Sequence, residues 1–530
     1  MRDMAVSAVF GTGAGADAFF VAFRIPNLFR RIVGEGASSA AMVPVFTESL
    51  LREGSGGAAR AAGAVGGVGF VVVAALTLLG MAMAGPLIAA FAPGFLDNAG
   101  KAAMTVELTR WTFPYLLLIG ASAWAMGVLH TFRHFALPAL GPLLLNLAII
   151  ACALGLAPHL GTPEYGLVAG VLGGGLLQFL VQVPALQQLG LRPRMLVNPR
   201  HPAVRRTARL VAPVVFGGAV YQINILVATM FASLLPDRSV SYLWYADRVF
   251  EFPLGIVAVA VGTAALPSLA AQAKAGDRVA MADTVAHSLK LALAFCVPAA
   301  VGLALLAPDI VTLLFERGRF TPQDAQMTAW ALRAYVPGLL GVALVRVLAA
   351  AFYAVERPRA PLYAAVLALV VNVFFDVALM GPVAASGADA GSSAGAWIAG
   401  FGNSVRIADM RHAGLALATG IAATANAAVL AVVLSRRLPE LRLERVARSL
   451  GLHALASAVM AAVIVGVQYA VDAAPAALVW AQRPSIRTLL AITTGGAVYA
   501  ACAMALGSGE VIELAAMLRT QLGRSVRRSS

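Results

Sequence analysis

Apolar runs long enough to cross a bilayer recur from one end of this sequence to the other, and they limit the chain to few folds. A helix needs about 20 mostly apolar residues to cross ~30 Å of hydrocarbon. Such runs fall at roughly 62–92, 105–131, 137–157, 165–188, 208–235, 240–268, 284–314, 325–354, 360–382, 412–434, 451–471 and 485–507. Only 12% of the 530 residues are charged and 60% are hydrophobic. The mean hydropathy is +0.83. A soluble chain of this length carries far more charge. The fold class is an all-α polytopic membrane protein.

One further apolar stretch is unusual. Ala16 to Glu48 reads ADAFFVAFRIPNLFRRIVGEGASSAAMVPVFTE. Its first half has the pattern of a membrane helix but carries Asp17, Arg24, Arg30 and Arg31. A charge at the bilayer centre costs about 2.5–3.5 kcal/mol or more, so such residues face a bundle interior or a hydrated cavity. Pro26 removes a backbone hydrogen bond beside the arginines and predicts a kink. The stretch reads as one wall of a cationic cavity. A plainer reading is that Arg30 and Arg31 end the helix in the cytoplasm and snorkel to the headgroups.

The net charge of +14 is nearly all arginine, with lysine only at 101, 274 and 290. In a soluble protein that balance points to nucleic acid. Here the arginines lie mainly between apolar runs, so nucleic acid is not an expected partner. Basic loops at Arg52/Arg60, Arg133/His134, Arg192–Arg209, Lys274/Arg278, Arg357/Arg359 and Arg436–Arg448 alternate with weakly charged ones. The positive-inside rule places the basic set and the C-terminus in the cytoplasm. Cys152, Cys296 and Cys502 are far apart in apolar runs and have no metal-binding spacing.

The two halves match. Arg110, Pro114, Leu116, Leu117, Pro138 and Leu144 align with Arg333, Pro337, Leu339, Leu340, Pro361 and Leu367 at an offset of about 223. Ala22 and Arg24 align with Ala246 and Arg248 one residue further on. Paired six-helix bundles are a transporter architecture with the site between them. The expected organisation is an N-terminal lobe (1–190), a basic linker (191–207) and a second lobe (208–434) with an inserted loop (383–411). Two additional helices (435–508) and a basic tail (509–530) follow. The offset also implies a truncated first helix, because the counterpart of 208–235 would begin roughly 15–20 residues before Met1.

Candidate residues follow from this layout. Arg2, Arg24, Arg30 and Arg248 are the cationic candidates for substrate binding, with Asp17 beside them; Arg346 is a further arginine in an apolar helix. Glu35, Asp247 and Glu251 are acids placed to form ion pairs with the arginines. Arginine suits a phosphate because its planar fork donates two parallel hydrogen bonds and stays charged. The structural alternative is pairing alone, such as Arg248 with Glu251 one turn away. Asn372 and Asp376 share a helix face and, with Thr419, offer oxygens to a small hard cation; Asp376 also fits a proton carrier or a bundle hydrogen bond. No catalytic constellation, D-x-D pair or Walker loop is present, which argues against an enzyme and against ATP hydrolysis.

RDMAVSAVFGTG from Arg2, DAFFVAFRIPNLFRR from Asp17, EGA at Glu35, YADRVFEFP from Tyr245 and GLALA at Gly414 together resemble the MurJ (MviN) family. That family flips lipid II across the bacterial inner membrane and shares a superfamily with MATE-type drug exporters and oligosaccharide-lipid flippases. The resemblance implies fourteen helices, with a lipid-tail groove on the last two. It implies a central cavity whose essential arginines map onto Arg2, Arg30 and Arg248, with Asp17 near them. It implies alternating access without covalent chemistry. Lipid II, membrane lipids and other cell-wall synthesis proteins are the implied partners. Sodium is the one cofactor implied, at Asn372, Asp376 and Thr419, although a family aspartate on the seventh helix falls at Ala228 here. The alternatives are an exporter of another lipid-linked saccharide or a cation-coupled drug antiporter on the same fold. A cationic drug calls for an acidic site, and the arginines favour an anionic substrate.

Overall fold

The computed structural model describes residues 1–30, 41–189, 195–260, 265–355, 357, 359–382, 405–473, 483–513 and 516, without the side chains of 29, 213–221 and 256–260. Within these residues the chain is helical. Among the described residues nine helices are long and apolar enough to cross a membrane, or ten if one bent pair counts as a single span. The chain is a multi-pass membrane protein. It forms two compact units.

The first unit runs from Met1 to Ser241 and takes in the turn Arg317–Thr321. Its helices are α1 (Arg2–Phe10), α2 (Ala14–Arg30), α3 (Val43–Ala82), α4 (Ala84–Phe91), α5 (Ala99–Thr112) and α6 (Tyr115–Thr131). They continue with α7 (Ala136–Ala139), α8 (Gly141–Ala151), α9 (Glu164–Leu180), α10 (Val183–Gln188) and α11 (Pro202–Ser233). The polar stretch around Arg52 and Arg60, expected as a loop, is instead helical within α3. Ion pairs from Arg52 to Glu48 (3.0 Å) and from Arg60 to Glu53 (2.8 Å) support it. The bend falls at Gly54, whose φ of 68° suits a residue without Cβ. The apolar run expected at 62–92 divides at Met83 into the end of α3 and the short α4.

The second unit begins at Tyr242. It contains α12 (Ser239–Ala260), α13 (Leu266–Ala275), α14 (Arg278–Phe315), α15 (Pro322–Tyr335), α16 (Gly338–Ala354) and α17 (Arg359–Leu379). Three long helices follow: α18 (Arg411–Arg437), α19 (Leu443–Asp472) and α20 (Pro484–Ala505). Of the inserted loop, residues 383–404 lie outside the described residues, as do 190–194 of the linker and most of the tail. The described flanks of the loop are tied together. Met380 and Asp409 form an isolated antiparallel bridge, and the N–H groups of Ile407 and Met410 donate to the carbonyls of Ala378 and Leu379 at 2.9 Å.

The elements around Pro114 and Pro337 correspond. Pro114 caps the N-terminus of α6, and Pro337 does the same for α16; both helices have 17 residues. A proline there has no N–H to leave unsatisfied and stops the preceding helix from continuing. The α15–α16 pair bends by 47° at this point. Packing repeats as well. In the first unit α9 packs on α5, α6 and α8, and α3 packs on α6. In the second unit α18 packs on α15, α16 and α17, and α14 packs on α16. The last two helices pack on each other and on α14. The unit boundary falls after Ser241, whereas the sequence placed the lobe break at 191–207. The reason is packing, since α11 lies against α3 and α4.

Candidate functional site

The charged residues of the first unit sit on short, proline-bearing or glycine-flanked helices. α1 spans nine residues, and Gly11 ends it with φ 61°. Arg2 on its first turn meets Asp3 in a forked contact, with Nη2 2.9 Å from Oδ1 and 3.1 Å from Oδ2. Both side chains are about a fifth exposed, at 20% and 23%.

α2 buries Ala16 to Phe23 almost completely. It packs on α5, α6 and α9. Phe19 and Phe23, one turn apart, stack at 5.7 Å. Its arginines lie toward the C-terminal half, where the helix is less buried. Arg24 donates from Nη1 to the hydroxyl of Thr229 on α11. Arg30 donates from Nε to Oδ1 of Asn27 at 2.7 Å, just past Pro26. Glu35 and Arg31 lie outside the described residues.

Asp17 is placed differently from the arginines. It is 1% exposed and its carboxylate is saturated by the protein. Oδ1 accepts the Ser241 N–H at 2.9 Å and the Ser241 hydroxyl. Oδ2 accepts the Arg238 N–H and the Lys101 ammonium, both at 2.9 Å. Arg238 presents that N–H from a left-handed conformation (φ 77°), rare for a residue with Cβ. Lys101 also reaches Oδ1 of Asp237 at 2.7 Å and lies 3.9 Å above the Phe95 ring. Lys101, Asp237 and Ser241 were not among the sequence candidates. Lys101 reads as a loop lysine, and only the fold shows it buried.

In the second unit Arg248 lies on α12. Its Nη1 is 3.0 Å from Glu251 Oε2, its Nη2 is 3.2 Å from Asp247 Oδ2, and its Cζ is 4.9 Å from the Trp244 ring. The expected acids do pair with it, yet the side chain remains 25% exposed. Trp244 is a partner that the motif alone did not indicate; a cation over an indole face is worth roughly 0.5–2 kcal/mol. Arg346 on α16 donates to the carbonyl of Leu254 at 3.0 Å.

Asn372 and Asp376 lie one turn apart on α17 and are fully buried. Neither the amide of Asn372 nor either oxygen of Asp376 has a hydrogen-bond partner among the described residues. Buried polar groups left unpaired cost about 1–3 kcal/mol each, so a missing ligand or water is expected there. Thr419 lies on α18, which packs closely on α17, and its hydroxyl donates to Leu415 O at 3.0 Å. That leaves its lone pairs for another donor or a cation. Among the described residues no three His, Cys, Asp or Glu side chains gather as a metal site. Sodium does not require such a cluster, because neutral oxygens serve hard cations.

The architecture matches known transporters. A MATE-family multidrug transporter of the MOP superfamily, in its inward-facing conformation, superposes with a TM-score of 0.67 at 14% identity over 83% of this chain and 94% of that one. The structure of lipid II flippase MurJ in its inward closed conformation superposes with a TM-score of 0.73 at 24% identity, over 94% of both chains. The chain shares the fold of these two structures.

Sequence comparison narrows this. The family model "Lipid II flippase MurJ" matches residues 6–402. The lipid II flippase MurJ of Burkholderia cenocepacia is 34% identical over 440 residues, 82% of this chain and 80% of that protein. The probable lipid II flippase MurJ of Vibrio cholerae is 36% identical over 441 residues, 81% of this chain and 78% of that protein. The chain belongs to the MurJ family.

Proposed function

We propose that this protein is a lipid II flippase of the bacterial inner membrane, with its basic loops and C-terminus in the cytoplasm. Family membership combined with arginines held part-buried on α1, α2 and α12 is the observation that carries the reading. The pyrophosphate of lipid II is a double anion, and the bidentate fork of arginine matches its oxygens. Arg2, Arg24, Arg30 and Arg248 bind that group. Their present contacts to Asp3, Thr229, Asn27, Asp247 and Glu251 hold the forks in place before the substrate arrives.

Transport proceeds by alternating access, in which the head group is taken up at one membrane face and released at the other. No bond in the substrate is broken, so the protein acts as a transporter and not as an enzyme. The polyprenyl tail stays in lipid, along α19 and α20. Asp17 acts as an anchor that fixes α2 to α5 and to the 236–241 turn. Asn372, Asp376 and Thr419 hold a sodium ion, whose charge would satisfy the unpaired oxygens on α17. Lipid II, membrane lipids and other cell-wall synthesis proteins are its partners. Translocation of fluorescent lipid II by the reconstituted chain, with and without a membrane potential, tests the assignment. A protein that moves cationic drugs but not lipid II would show the antiporter reading to be right instead.

A further inference from the structure

Three basic loops that are far apart in sequence converge on one cleft within the second unit. The cleft encloses about 390 Å³ between the α13–α14 turn, the end of α16 and the end of α18. Its floor is apolar, formed by Met281, Phe352, Leu434 and Leu438, all at most 5% exposed. Its lining also includes Arg278, Arg357 and Arg437.

Two acids among the described residues at or beside the cleft have partners of their own. Asp277 caps α14 by accepting the Ala280 N–H at 2.9 Å. Glu440 pairs with Arg278 at 3.0 Å, and Arg278 also donates to the Arg437 carbonyl at 2.7 Å. The guanidinium groups of Arg357 and Arg437 have no hydrogen-bond or carboxylate partner among the described residues. Gln272, also on the wall, donates to Thr284 at 2.9 Å while its own Oε1 has no partner among the described residues. Tyr353, on the last turn of α16, is 55% exposed, as expected of an aromatic at a membrane–water boundary.

We infer that this cleft is an anion site for a phosphate group, separate from the arginines on α1, α2 and α12. Arg357 and Arg437 bind the phosphate oxygens, and Arg278 fixes the wall between them. A basic pocket at the cytoplasmic ends of membrane helices has the chemistry to hold an anionic phospholipid headgroup. The apolar floor then covers the first carbons of the lipid. A free phosphate in the cytosol carries the same oxygens without the hydrocarbon.

The test uses the full chain purified in neutral detergent. Phosphatidylglycerol, phosphatidylcholine and inorganic phosphate are titrated separately and binding is read by native mass spectrometry. The comparison is the double variant R357Q/R437Q, whose exposed positions spare the core. Phosphatidylglycerol should bind the wild type, and the variant should bind roughly 30-fold more weakly, from the loss of two charges near a lipid surface. Phosphatidylcholine should bind neither. Inorganic phosphate that binds the wild type, is lost in the variant and displaces the lipid would identify the soluble source of the same group. Equal phosphatidylglycerol binding by wild type and variant, or no binding of either anion to the wild type, would overturn the inference. If the variant does not fold, protection of Arg357 and Arg437 from phenylglyoxal by phosphatidylglycerol in the wild type decides the matter. Absence of protection counts against the site.

Discussion

Nζ of Lys101 and Oδ2 of Asp17 stand 2.9 Å apart, with side chains only 3% and 1% exposed. A buried ion pair gains little over a matched apolar pair, but losing one partner strands the other charge and costs about 3–5 kcal/mol. K101M should therefore lower the unfolding midpoint in detergent sharply, while the double change K101M/D17N should recover part of it, because a neutral amide oxygen still accepts from Ser241. If K101M melts with the wild type, the pair does not anchor α2.

Close helix approach sets a second expectation. A Cβ added to Gly338 on α16 would stand 2.4 Å from Cα of Gly420 on α18. Small residues allow membrane helices to approach at backbone distance. G338L should reduce folded yield and stability by about 1–3 kcal/mol or more. On α14, a methyl added to Gly302 would meet no atom within 4 Å, and G302A should be tolerated. Equal unfolding temperatures for the two variants would contradict the packing.

The unpaired atoms of Asn372 and Asp376 predict a response to sodium. A ligand that binds only the folded state stabilises it by about 2.7 kcal/mol at one hundred times its dissociation constant. Sodium should raise the melting temperature of the wild type above that in equal potassium. D376A and N372L should abolish the difference. A sodium-independent wild type would show that those oxygens serve another partner.

The inserted loop should be dispensable. Its described flanks are pinned by the Met380–Asp409 bridge and by hydrogen bonds from Ile407 and Met410. Closing a shorter loop between fixed ends costs little. Deletion of Ser386–Asn403 should preserve folding and much of the transport, and reagents should reach the loop only from outside the cytoplasm. Loss of the folded protein on deletion would mean that the segment packs on the rest of the chain.

Much of the fold was legible because hydrophobic length and proline position act locally. Pro114 and Pro337 stood out as aligned positions of the two halves, but the runs at 105–131 and 325–354 read as continuous, and each divides at its proline before α6 and α16. Arg248 with Asp247 and Glu251 was readable from helical spacing. What could not be read depends on contacts between distant segments. Lys101 and Ser241 are 84 and 224 residues from Asp17, so nothing in the local pattern links them. The same is true of Thr229 against Arg24, and of the three loops that supply Arg278, Arg357 and Arg437. The helical segments that carry Arg52 and Arg60 on either side of the Gly54 kink were hidden by glycines that ordinarily signal a loop.

The proposed flippase activity rests on Arg30 and Arg248 as ligands of the lipid II pyrophosphate. The direct measurement is lipid II translocation in proteoliposomes by the wild type, R30A and R248A, matched for folded protein. The account predicts transport by the wild type and its loss in both alanine variants. R30K and R248K should be impaired too, because a lysine keeps the charge but not the bidentate fork. Wild-type rates of lipid II transport in both R30A and R248A would contradict the account.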